Sequence, residues 1–299
     1  KLARRNKTIF AAGGAGMAAL IIGLILSLYS FVQEKAAFKR AVAAEQSEKQ
    51  LRQAAEQGAE ASRQIGRAGL LLMSGKYDES EKMLRGIPPH AALVPFYNVF
   101  GGRHARRGEW LEALTNWSHV VQYAPADQIG YQHLAPLLLQ LNDVDGYKNF
   151  RGQILLQFGN TNDSRVAERM VKASLIFPAT AEEMATISKM ADVAGGVSTN
   201  SDNWGYNFLA KGLAEYRQGN YDAATHLLQI ILPEDIGSQP RAEAYLILAM
   251  AQYRLNQLDA SRVSFAKAMA IVNRLPKAGG LDDDWNDWII VHVLLREES

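Results

Sequence analysis

The chain repeats itself, and the repeat limits the folds open to it. A turn residue is followed two positions later by an aromatic or apolar residue, three further on by a small one, and four beyond that by an apolar one. The pattern occurs as Gly75, Tyr77, Ser80, Leu84; Gly108, Trp110, Ala113, Trp117; Gly219, Tyr221, Ala224, Leu228; and Asn256, Leu258, Ser261, Phe265. Gly75 and Gly108 are 33 residues apart, and a weaker copy starts at Asn142, 34 after Gly108. A unit of this length holds two helices and a turn. Such a pair cannot bury both apolar faces by itself, so copies must stack on one another. The sequence therefore predicts an all-α solenoid.

The residues within each copy resemble the tetratricopeptide (TPR) repeat, a helix–turn–helix unit with a small residue where its helices cross and bulky ones that wedge into the next unit. Tyr97, Phe100, Gly101, Gly108, Trp110, Ala113, Trp117, Val120 and Pro125 occupy pattern positions in the best copy, and Leu209, Gly212, Gly219, Tyr221, Ala224, Leu228 and Ile231 do so in another. The solenoid is expected over residues 68–276 and is degenerate around 142–205, where the helical runs Ser164–Ile176 and Ala181–Ala194 read as one irregular pair. After Pro276 and the Gly279-Gly280 break, residues 281–299 are expected to form a capping helix on the last repeat, with Trp285, Trp288, Ile289, His292 and Leu295 at near-helical spacing.

A second constraint lies at the other end. Thr8 to Val32 is a run of 25 residues without a charge, which as a helix spans roughly 37 Å, enough to cross a bilayer. It is too long for a signal peptide, and no small-residue cleavage site closes it. Residues 8–32 thus read as a transmembrane helix after a basic juxtamembrane segment, 1–7, whose Lys1, Arg4, Arg5 and Lys7 point to a cytoplasmic N-terminal side. Residues 33–67 read as a helical stalk rich in Ala, Glu, Gln, Lys and Arg. Within the span, Ala11, Ala15, Ala19, Gly23 and Ser27 recur every four residues on one stripe. Close packing of two such helices, hence a homodimer, is one explanation; the small-residue content common to membrane helices is the other.

Catalytic signatures are missing. The 32 basic and 31 acidic residues nearly cancel, so nucleic acid is not an expected partner. With no cysteine, disulfide scaffolds, thiolate metal sites and cysteine nucleophiles are excluded. None of the six histidines, His90, His104, His119, His133, His226 and His292, stands at a metal-binding spacing. Asp282-Asp283-Asp284-Trp285-Asn286 opens like a calcium loop but has Asp287 where the loop needs glycine and Val293 where it needs glutamate. No nucleophile elbow, phosphate loop or kinase motif occurs. The segment is expected to be non-catalytic, with no cofactor and no metal, and to bind a protein or peptide besides the lipid bilayer.

The order of parts is similar to a larger family. Lys1-Leu2-Ala3-Arg4-Arg5-Asn6-Lys7, the Ala/Gly-rich span and Arg40-Ala41-Val42-Ala43-Ala44-Glu45-Gln46 resemble the juxtamembrane region of bacterial transmembrane Ser/Thr protein kinases. Leu209–Gly219, Ala244–Gln252 and Asp284–Glu297 resemble the repeat region that ends them. The resemblance, with a first residue other than Met, implies an ATP- and Mg-dependent kinase domain upstream. This chain would then be the anchor and sensor of a single-pass inner-membrane protein, its repeats outside the cytoplasm. The alternative is a free-standing anchored TPR adaptor or chaperone for envelope protein assembly. In either case the exposed side of each unit's first helix is expected to supply the binding contacts: Asn98, Arg106, Tyr216, Arg217, Tyr253 and Arg254.

Overall fold

The computed structural model describes residues 7–298, with side chains from 11 to 297. Apart from the backbone of Lys7, the basic segment 1–7 lies outside the described residues. Every regular element among the described residues is helical. The molecule divides into two compact units, 1–87 and 88–299.

The first unit contains α1 (Lys7–Met73) and α2 (Tyr77–Leu84). The span and stalk read separately from the sequence form one continuous helix of 67 residues, whose last turns are also the first helix of the first repeat. This is the one helix among the described residues that is long and apolar enough to cross a membrane. The stalk carries local ion pairs, Arg52 to Glu56 at 3.1 Å and Arg63 to Glu60 at 3.0 Å, of the kind that support a solvated helix. Gly75 turns the chain at φ +74°. Ser80 Oγ then donates to the Ala68 carbonyl at 2.8 Å, with Ala68 fully buried where the two helices meet.

The second unit stacks tetratricopeptide-like pairs: α3 (Val94–Arg106) with α4 (Trp110–Tyr123), α5 (Gln128–Gln140) with α6 (Val144–Phe158), and α7 (Ser164–Leu175) with α8 (Ala181–Gly195). These are followed by α9 (Trp204–Gln218) with α10 (Tyr221–Ile231), α11 (Ser238–Arg254) with α12 (Leu258–Val272), and finally α13 (Trp285–Glu298). The turn residues that mark the period all take positive φ: Gly108 +73°, Asn142 +61°, Gly219 +86° and Asn256 +59°. Glycine and asparagine are the residues that reach this region most readily. Small residues sit where paired helices cross. A Cβ on Gly101 would come within 2.7 Å of the Trp117 indole nitrogen, and one on Gly212 within 3.1 Å of Leu228.

The pair α7–α8 lacks the repeat's signature residues and is held by a different device. Arg151 on α6, buried at 2% exposure, makes a two-pronged bond to Glu183 at 2.9 and 2.8 Å and also donates to the Phe177 and Pro178 carbonyls, each at 3.1 Å. Glu183 in turn completes a capping box with Thr180 at the start of α8.

The last helix is not a cap on the final repeat. It packs on α5 and α11, and residues 285–291 are all buried. The sequence shows one apolar face, Trp285, Trp288, Ile289, His292 and Leu295, but Ile290, Val291, Val293 and Leu294 on the other sides are buried as well. A helix apolar all round must be enclosed, which the end of a solenoid cannot provide. α13 therefore lies within the groove formed by the first helices of successive pairs.

Candidate functional site

The groove is built from α5, α7, α9 and α11, which contact one another in series, with the end of α3 at its rim. α13 is held in it by apolar side chains along its length and by ionic contacts at three points. At its start, Asp283 receives a bond from Arg106 Nη1 at 2.6 Å, and the Leu281 amide bonds the Arg106 carbonyl at 3.1 Å. In its first turn, Trp285 sits 4.9 Å from the His133 ring and 6.5 Å from Trp117, while Trp288 stacks on Trp110 at 6.1 Å and donates its indole N–H to the Pro276 carbonyl at 2.9 Å.

Near the same end, Lys172 on α7 bridges Asp287 at 2.8 Å and Glu243 of α11 at 3.1 Å, all three groups being buried. At the far end, Arg217 of α9 pairs with Glu297 through two nitrogens and donates to the Leu175 and Ile176 carbonyls, each at 3.2 Å. Arg217 thus ties the end of α7 to the end of α13.

The buried charges are unevenly matched. Lys172 faces Asp287, Glu243 and Glu168. Burial by itself would depress the Lys172 ammonium, but the three carboxylates outweigh it and hold its pKa above the ordinary lysine value. One cation cannot neutralise three anions. Burial pushes the Glu168 carboxyl up to about 7 against the pull of Lys172, and Glu243 is raised for the same reason. His133, buried and near Arg169, drops to about 3 and is neutral.

The six contact residues expected from the sequence do not form one patch. Arg106 and Arg217 engage opposite ends of α13, about 20 Å apart along a helix of this length. Tyr216, Tyr253 and Arg254 line a cavity of about 390 Å³ beside Glu297, where the Arg254 guanidinium lies 5.2 Å from the Tyr221 ring. Asn98 is half-buried on α3, and its Oδ1 makes no hydrogen bond. In the membrane stripe, Ala11, Ala15, Ala19, Gly23 and Ser27 are all exposed.

Lys172, Glu243, Asp287 and Glu168 were not expected from the sequence. Lys172 and Asp287 are 115 positions apart, so no local spacing marks the cluster. Among the described residues no group of three or more His, Asp or Glu could hold a metal ion.

No protein-family model matches the chain, and no curated protein matches it at a significant level. Solved structures align with part of its length at low similarity. A tetratricopeptide repeat protein from Parabacteroides merdae ATCC 43184 is 13% identical, with a TM-score of 0.42 over 79% of this chain and 98% of that one. A MamA fragment from Desulfovibrio magneticus RS-1 is 14% identical, with a TM-score of 0.38 over 62% and 97%. A further crystal structure of MamA is 13% identical, with a TM-score of 0.36 over 60% and 92%.

Proposed function

We propose that this chain is a membrane-anchored protein-interaction region whose groove binds a helical segment of a protein partner in competition with its own C-terminal helix. The observation that carries the reading is the occupied groove: first helices from successive pairs hold a separate helix through apolar contacts and three ionic fastenings. Asp283, Asp287 and Glu297 meet Arg106, Lys172 and Arg217. A partner helix suited to the same groove carries an acidic start, two tryptophans one turn apart and an aliphatic second half. Anchoring is supported by α1, where Leu20, Leu24 and Leu26 are each more than 60% exposed with no protein to cover them.

The test uses the full chain in lipid nanodiscs with a protease site inserted in the 277–280 loop. After cleavage, a labelled peptide of residues 281–299 should exchange with the resident helix while helical circular dichroism is retained. A helix that never exchanges, or whose loss unfolds the unit, makes α13 a permanent core element and removes the reading.

A second reading is supported by sequence resemblance: the region is the extracytoplasmic sensor of a bacterial transmembrane Ser/Thr kinase, with its N-terminal side in the cytoplasm. An upstream reading frame encoding a Gly-rich loop, a strand lysine and an HRD-type catalytic loop supports it. A start codon within a few residues of Lys1 removes it and favours the envelope adaptor or chaperone.

A further inference from the structure

A polar cavity of about 410 Å³ opens beside the start of α13, between α5, α7 and α9. Its volume falls within the range of small-molecule sites. The groups on its wall divide into those already engaged and those left over. Lys172, Asp287, Asp283 and Asn207 are engaged with other residues. Arg165, Arg169, Glu168, Asp202, Tyr206 and Asp284 also line the cavity, and their side chains make no hydrogen bond or close ion pair with another described residue.

Glu168 is the telling member. It is only 8% exposed, it lines this cavity, and its carboxyl receives no hydrogen bond from another described residue. A buried carboxyl without a donor is costly, and a natural fold retains one where something else completes it. One turn of α7 presents both signs here, the Glu168 carboxylate and the Arg169 guanidinium. The Tyr206 hydroxyl and the Asp284 carboxylate add an acceptor-rich wall from α9 and the α13 approach. A cation alone leaves Arg169 unmatched, and an anion alone leaves Glu168 and Asp284 unmatched. A molecule carrying an ammonium and a carboxylate close together matches both.

We infer that this cavity binds a small zwitterion of the α-amino acid type, its ammonium on Glu168 and Asp284 and its carboxylate on Arg169. Ile129 and the His133 ring offer an apolar wall for a side chain. The site goes beyond the groove reading and does not depend on α13 being exchangeable.

The pH dependence follows from Glu168. The groups facing it are Arg165, Arg169 and Lys172 on its own helix, Asp284 just before α13, Asp287 of α13, Glu243 of α11 and Tyr206 of α9. With its carboxyl at about 7, taking up an ammonium below that pH requires release of its proton. Affinity should rise about tenfold per pH unit up to about 7 and then level off.

The experiment presents each of the twenty L-α-amino acids to the full chain in nanodiscs at about 10 mM, by thermal shift and then calorimetry. At least one is expected to raise the unfolding midpoint and bind with a Kd below about 1 mM. Its amine-only and carboxylate-only analogues should fail. Arg169→Met should weaken binding at least tenfold, and Glu168→Gln should weaken it and flatten the pH profile. Glu168→Gln mimics the neutral side chain, so the variant folds and the comparison holds. If no amino acid shifts the midpoint, or if binding persists unchanged in both variants, the inference is overturned.

Discussion

At the residue scale, the buried cluster makes stability depend on pH in a way opposite to most carboxylates. Glu168 has a folded-state pKa of about 7 against an unfolded value of about 4.3. Between those values the folded chain holds a proton that the unfolded chain has lost. Stability therefore falls as pH rises through that window and is flat above it. Glu168→Gln should gain about 3 kcal/mol at pH ~8 and close to nothing at pH ~4, read from urea melts at both. Lys172→Met should do the reverse, costing about 3–5 kcal/mol near neutrality by leaving Asp287 buried without its cation. None of this was visible along the chain. Glu168 and Lys172 share a helical turn spacing, but that spacing is equally common on a solvated face, and only the arrival of α11 and α13 removes the water.

At the element scale, the crossings and turns were legible and the last helix was not. Gly101 was recognisable as a small crossing position, and the structure supplies the reason: the Trp117 indole fills the space a side chain would need. Gly101→Ala should cost about 1–3 kcal/mol in chemical denaturation because that indole has to move. The pair α7–α8 was readable as helices but not as packing, since Arg151 and Glu183 replace the usual wedge residues and lie 32 positions apart. For α13, the near-helical spacing of its tryptophans indicated a helix with an apolar face. That face suits the end of a stack as well as a groove, and the equally apolar Ile290, Val291, Val293 and Leu294 are what require enclosure on every side. Trp285→Ala should destabilise the second unit by about 3–5 kcal/mol, whereas a surface cap would lose far less.

At the scale of the whole molecule, α1 links an apolar run to the first repeat in one unbroken helix. The chain should sediment with membranes and resist alkaline extraction, and deleting residues 8–32 should release it into the soluble fraction. Reporter fusions after Ser299 that are active only outside the cytoplasm would agree with the proposed orientation.

The sequence by itself determined the helical repeat, its turn residues and the long apolar N-terminal helix, because each is written in a spacing of fewer than about 40 residues and rests on local backbone and hydropathy rules. The tertiary structure alone decided where α13 goes, which charges are buried and what lines the cavity. Those properties depend on which distant segments exclude water together. Lys172, Glu243 and Asp287 become one cluster only when α7, α11 and α13 meet, and pairing across such separations leaves no period for a sequence to carry.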